Sequence, residues 1–218
     1  MKKHLNALER IKAQLKENHL FADEVSRAWD LLILAVKKIP EEPKSGTTGG
    51  TLGAPVELKE YPTGLALYAD GACRGNPGPG AWACLAQNHA GEIIFEASGF
   101  EQTTTNNKME IQGAINAIQL FEQHLQAQPF LRCDPVMFFT DSKYVVEGMN
   151  QWISGWKSRG WKKADGKAPE NLELWQELDS LKLKFPQLKA YWVKGHSGHP
   201  QNEFCDQLAN RLLDAEGF

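Results

Sequence analysis

The sequence predicts an α/β domain built on a five-stranded mixed sheet, an antiparallel meander plus parallel strands, flanked by helices and preceded by a small α-helical segment. Three observations lead there. Beyond residue 64, three strand-like runs follow one another closely. After about residue 105, strand and helix periodicities alternate. Between residues 40 and 64 the chain turns to Pro, Gly, Ser and Thr. The expected organisation is a helical extension at 1–39, a flexible linker at 40–64 and the α/β domain at 65–218.

Each element has its own signal. In the extension, Leu5, Leu8, Ile11 and Leu15 make one apolar stripe, and Val25, Ala28, Trp29, Leu32 and Val36 make a second at helical spacing. Asp23 is placed to cap the second helix and Pro40 to stop it. Leu65 to Ala69 reads as a strand ending at Asp70, before a tight Gly/Pro loop over 71–80. Ala81 to Gln87 and Glu92 to Phe100 are the next strands, joined by a His89-Ala90-Gly91 turn. Asn106 or Asn107 is expected to cap a helix that buries Met109, Ile111, Ala114, Ile118 and Phe121. Pro135 to Thr140 is a buried strand, Asp141 to about Trp152 a helix, Asn171 to Phe185 another. Leu188 to Val193 is the last strand, and Gln201 to Ala215 the closing helix.

Composition narrows the function classes. The 218 residues carry 24 Lys+Arg and 27 Asp+Glu, a net charge of -3, with 42% hydrophobic and 23% charged residues. That is a globular composition, not a collagenous, mucin-like or disordered one. The longest apolar run, Leu31 to Val36, is far short of the roughly 18 residues of a membrane span. Cys73, Cys84, Cys133 and Cys205 show no C-x-x-C spacing, which fits free thiols and a cytoplasmic location. Mild overall acidity hides segmentation: residues 1–40 are net basic, and residues 65–218 are net acidic yet carry five basic residues and one acid between Lys157 and Lys167.

Three acidic residues fall where such folds place their chemistry. Asp70 and Asp141 end the first and fourth strands, and Glu110 lies in the first turn of the helix between them. Asp206 joins them from the last helix, about 100° from the buried stripe of Cys205, Leu208, Ala209 and Leu212. Clustered carboxylates repel unless cations neutralise them, and hard oxygen ligands select Mg²⁺ or Mn²⁺. Singly, Glu110 also fits a capping box behind Asn107, and Asp141 a helix cap.

Four stretches carry a resemblance: Tyr-Ala-Asp-Gly-Ala-Cys-Arg-Gly-Asn-Pro-Gly-Pro-Gly (68–80), Thr-Thr-Asn-Asn-Lys-Met-Glu (104–110), Thr-Asp-Ser-Lys-Tyr-Val (140–145) and Val-Lys-Gly-His-Ser-Gly-His-Pro-Gln-Asn-Glu-Phe-Cys-Asp-Gln-Leu-Ala (193–209). In order and content they resemble the signature blocks of ribonuclease H, type 1, of the bacterial kind. Gln-Trp-Ile-Ser-Gly-Trp-Lys-Ser-Arg-Gly-Trp-Lys (151–162) is similar to the basic protrusion of the cellular bacterial enzymes. The resemblance spans residues 65–218 and does not touch residues 1–64.

That resemblance implies the ribonuclease H-like fold and an endonuclease that cuts the RNA strand of RNA/DNA hybrids with two Mg²⁺ ions, leaving 5′-phosphate and 3′-hydroxyl ends. Asp70, Glu110, Asp141 and Asp206 match the metal-binding carboxylates, and His196 the loop histidine that assists proton transfer or product departure. Asn76, Asn106 and Asn107 match hybrid contacts near the cut, and Thr105 a grip on a DNA phosphate. Trp152, Lys157, Arg159, Lys162 and Lys163 are expected to follow the DNA strand, with Trp156 and Trp161 partly in the core and His199 structural. Two departures stand out: Lys143 replaces a common Gln, and the stretch Gln123 to Asp134 is long. A binding module with a broken carboxylate set, or an integrase-type transferase, would lack these combined blocks. The N-terminal helices are expected to make a dimer or protein-partner contact through Val25, Trp29, Leu32 and Val36.

Overall fold

A computed structural model describes residues 52–128 and 133–218. The expected helices of residues 1–39 and their proposed contact face lie outside the described residues. The compact unit bearing the α/β fold runs from Leu52 to Phe218. It therefore begins ahead of the expected boundary at 65. Residues 52–64, read from their Pro and Gly content as the end of a flexible linker, form a short 3-10 turn at Val56–Leu58 whose Leu58 is fully buried.

The strands are β1 (Leu65–Cys73), β2 (Gly78–Asn88), β3 (Ile93–Thr104), β4 (Val136–Thr140) and β5 (Lys189–Trp192), ordered β3-β2-β1-β4-β5. Pairs β1–β2 and β2–β3 are antiparallel, β1–β4 and β4–β5 parallel. This is the mixed sheet expected. The first three strands overrun their expected ends because the meander keeps pairing into the Gly/Pro segment as far as Cys73 opposite Gly80. Asp70 thus sits within β1 rather than at its end.

The helices are α1 (Asn106–Ala127), α2 (Lys143–Glu147), α3 (Ile153–Ser158), α4 (Leu172–Lys184) and α5 (Pro200–Ala215). Caps differ from expectation for chemical reasons. Thr105, extended and with its hydroxyl accepting from the Lys108 amide at 3.4 Å, caps α1 in place of Asn106 or Asn107. Ser142 caps α2 through the Val145 amide, which frees Asp141 from that duty. Nor does the helix end at Trp152. A π-helical turn over Gly148–Trp152 carries it directly into α3.

Strand β1 is buried on both faces, as a central strand should be. By the two-residue alternation of a strand, Leu65, Leu67 and Ala69 face the layer containing α1 and α4, where Ile111, Ile118, Phe121, Phe138 and Trp175 pack. Ala66 and Tyr68 face α5, packing with Phe139, Cys205, Ala209 and Leu213. Among the described residues, no helix is long and apolar enough to cross a membrane.

Candidate active site

The register of two strands places the first pair of acids. Parallel pairing of β1 with β4 ends at Tyr68 opposite Phe139, so the strands fork there. Asp70 and Asp141 each stand two residues beyond that last pair. They share the parity of Tyr68 and Phe139 and so lie on the α5 side, where Asp206 is carried one residue after the buried Cys205. Glu110 reaches the fork from the start of the second turn of α1, not the first turn expected, because the helix already begins at Asn106. That approach requires glycine at 71, since a Cβ there would stand 2.5 Å from the Glu110 backbone nitrogen.

Asp70 lies in the field of the other three carboxylates. Asp70 is only 7% exposed, and its carboxyl is pushed up to about 8, first by burial and then by the charge of Asp141, with Asp206 and Glu110 adding. The Gly71 amide, donating to Asp70 Oδ1 at 2.7 Å, opposes this in part. Burial also raises the Glu110 carboxyl and the Asp141 charge adds to it, against hydrogen bonds from Ser142 Oγ and from Asn106 Nδ2 at 2.8 Å. Asp141 Oδ2 accepts from Asn202 Nδ2 at 3.2 Å, and Asp206 Oδ1 from Asn210 Nδ2 at 2.8 Å. Among the described residues, no three acidic, His or Cys side chains are gathered into a ready-made metal cage. Donor chemistry nonetheless fits a hard divalent cation: every ligand atom is a carboxylate oxygen, and the charges repel until one is supplied.

His196 occupies an exposed loop with φ of 48°. The neighbouring Gly195 lies against Asp141, for a Cβ at 195 would collide with Asp141 Oδ2. His199 is structural, as expected: its side chain caps α5 by accepting from the Asn202 amide.

The expected substrate contacts divide into two groups. Asn76, Thr105, Asn106 and Asn107 collect at the N-terminus of α1, where Asn76 Oδ1 accepts from the Asn106 amide at 3.3 Å. Asn107 is exposed there. In the second group, Trp152, Arg159 and Lys163 line a cleft of about 420 Å³ with Tyr144, Trp156 and Pro169. Lys162 is exposed beside it. Lys157 is not part of that cleft, because its ammonium is held by Asp179 at 2.7 Å and faces α4. Trp156 is buried at the core and Trp161 packs partly against it. Lys143 lies over the Trp192 ring at 5.1 Å, and Trp192 Nε1 donates to the Asp141 carbonyl at 2.9 Å.

Ser142 and Asn202 escape sequence reasoning, although each holds a carboxylate of this cluster. Position offers the signal: Ser142 follows Asp141 directly, and Asn202 precedes Asp206 by one helical turn.

A family model described as RNase H matches residues 62–213. The chain belongs to the RNase H family. This RNase H is 45% identical over 148 residues to the Ribonuclease H of Dechloromonas aromatica, covering 68% of this chain and 92% of that one. It is 46% identical over 157 residues to the Ribonuclease H of Escherichia coli, covering 70% and 94%. Among solved structures, it is similar to LC9-RNase H1, a type 1 RNase H with the type 2 active-site motif, at a TM-score of 0.57 and 36% identity, covering 69% of this chain and 72% of that one. It is also similar to LC11-RNase H1 in complex with an RNA/DNA hybrid, at a TM-score of 0.54 and 25% identity, covering 70% and 98%.

Proposed function

We propose that this RNase H cuts the RNA strand of RNA/DNA hybrids endonucleolytically, with Asp70, Glu110, Asp141 and Asp206 holding two Mg²⁺ ions, for which Mn²⁺ can substitute. The observation that carries this reading is the strand fork, where Asp70 and Asp141 stand in register on one side with Glu110 and Asp206 within reach of their fields. Divalent ions bound there would supply activation of a water nucleophile and neutralisation of charge on the departing 3′-oxygen, which yields 5′-phosphate and 3′-hydroxyl ends.

The chain's own groups do the rest. The Gly71 amide and Asn202 hold one oxygen each of Asp70 and Asp141, which fixes the carboxylates before substrate arrives. His196, exposed on the loop whose Gly195 lies against Asp141, delivers a proton to the leaving 3′-oxygen or assists product departure. Asn76, Asn106 and Asn107 offer short polar groups to the 2′-hydroxyls in the shallow minor groove, and Thr105 to a DNA phosphate. Trp152, Arg159, Lys162 and Lys163 form the track for the DNA strand, a flat ring flanked by three cations. Lys157 joins the track only by leaving Asp179. The LC11-RNase H1 complex with an RNA/DNA hybrid supports the choice of substrate. Four free thiols fit a cytoplasmic location.

The test is cleavage of end-labelled RNA/DNA, RNA/RNA and DNA/DNA duplexes with Mg²⁺ or Mn²⁺, alongside Asp70→Asn. Cuts confined to the hybrid's RNA strand and lost in the variant are expected. Equal cleavage of all three duplexes, or undiminished activity of Asp70→Asn, would refute the assignment. For residues 1–39 the reading remains a dimer or protein-partner contact. Light scattering of 1–218 against 52–218 tests the dimer, and identical monomeric masses would remove it.

A further inference from the structure

One hydrogen bond ties the segment ahead of β1 to α5. Glu57, in the 3-10 turn, places Oε1 2.7 Å from His199 Nε2 and accepts from the Tyr68 hydroxyl on Oε2 at 3.2 Å. His199 is four-fifths buried at its side chain and lies against the Tyr68 ring, with centroids 5.6 Å apart. Its other nitrogen, Nδ1, accepts from the Asn202 amide at 3.4 Å and so caps α5. An imidazole nitrogen that accepts carries no proton, so the proton belongs on Nε2, where Glu57 receives it. The same turn of α5 is held a second time: Gln201 Nε2, buried, donates to the Gly53 carbonyl at 2.8 Å and to Gln87 Oε1 at 3.0 Å.

That turn matters because of what it carries. Asn202 gives its amide N–H to His199 and its side-chain N–H to Asp141, and the loop entering the turn carries His196 next to Gly195, which abuts Asp141.

We infer that Glu57 is a positioning residue for catalysis, selecting the Nε2–H tautomer of His199 so that the first turn of α5 holds Asn202 against Asp141 and sets the His196 loop. The inference rests on the hydrolytic reading above, but the state of the His199 ring can be read without any activity. Burial works against the ionised Glu57 carboxyl, yet the hydrogen bonds it accepts, from His199 first and also from Tyr68, outweigh it and hold that carboxyl below its usual range. Glu57 is thus ready to accept at neutral pH.

Two measurements on the full chain test this. Long-range ¹H–¹⁵N correlation of the histidine rings of the wild type should show His199 as the Nε2–H tautomer. Glu57→Ala should turn that ring into a tautomer mixture, lower kcat on a labelled RNA/DNA hybrid about fivefold, the effect of losing one helix cap, and leave KM within about twofold. Glu57→Gln keeps an acceptor for Nε2–H while removing the charge, and should restore both kcat and the ring signature. Glu60→Gln, an exposed acid of the same segment, should change neither. A wild-type His199 protonated on Nδ1 would overturn the inference. So would unchanged kcat in Glu57→Ala, or an equal loss in Glu57→Ala and Glu57→Gln, which would make the effect one of charge. Should Glu57→Ala fail to fold, the wild-type ring and Glu57→Gln still decide the matter.

Discussion

Replacing Gly71 with alanine tests whether the distance between β1 and α1 governs catalysis. The added Cβ would stand 2.5 Å from the Glu110 nitrogen, 2.8 Å from the Met109 carbonyl carbon and 2.9 Å from Met109 Cβ. Ordinary contact begins at 3.4 Å, so the first turn of α1 must retreat by about 0.9 Å. Nothing flexible can give way, because two of the three atoms are backbone, Met109 is fully buried and Gly71 is paired with Trp82 in the sheet. Glu110 moves with the turn, away from Asp70. A misplacement of about 1 Å in an active site can cost about 10²-fold in rate, whereas overpacking costs about 2 kcal/mol of stability, or about 4–8 °C in a domain of this size. Initial rates on a labelled hybrid with saturating Mg²⁺, beside thermal unfolding by circular dichroism, measure both. Gly53→Ala is the control, since its Cβ would meet nothing within 4 Å. A Gly71→Ala enzyme with wild-type kcat and an unchanged midpoint would refute the reasoning.

Other expectations follow from the same geometry. Without divalent metal, the raised Asp70 carboxyl makes the folded state hold a proton that the unfolded state releases, so its contribution to stability falls as pH rises from about 4 towards 8. Asp70→Asn should therefore raise the unfolding midpoint in EDTA, most at pH 9 and progressively less towards pH 4; a midpoint gain independent of pH would contradict the assignment. Thr105→Ala should lose about 1 kcal/mol of stability through the α1 cap while Thr105→Ser retains it, as denaturant titration would show. Lys162→Ala should weaken hybrid binding uniformly across sequences and reduce the slope of log K against log salt by about 1, and a sequence-selective loss would argue against a phosphate contact.

Much of this site was legible because its acids sit inside long local patterns. Asp70 after an apolar run, Glu110 behind Thr105-Asn106-Asn107 and Asp206 beside a buried helical stripe need only local periodicity to be placed. What was not legible depends on distant partners. Residues 52–58 read as linker because they continue a stretch from Pro40 rich in Pro, Gly, Ser and Thr, whereas their order comes from Leu58 in the core and from contacts with His199 and Gln201 more than 140 positions away. Lys157 looks like its basic neighbours in sequence, and only the fold sets Asp179 against it. Thr105 outcompetes two asparagines as a cap because it alone combines extended backbone with a hydroxyl at the right turn, a matter of one residue in chain direction.

The fork beyond Tyr68 and Phe139 also works as a proofreading device for the fold. Because side chains alternate across a strand, a slip of one residue between β1 and β4 would send Asp141 to the face opposite Asp70 and carry Phe139 out of its stack with Tyr68. A misregistered chain would lose apolar packing and its acidic pair in the same event. On the proposed assignment of these acids, the activity of a preparation should track its fraction of correctly paired molecules.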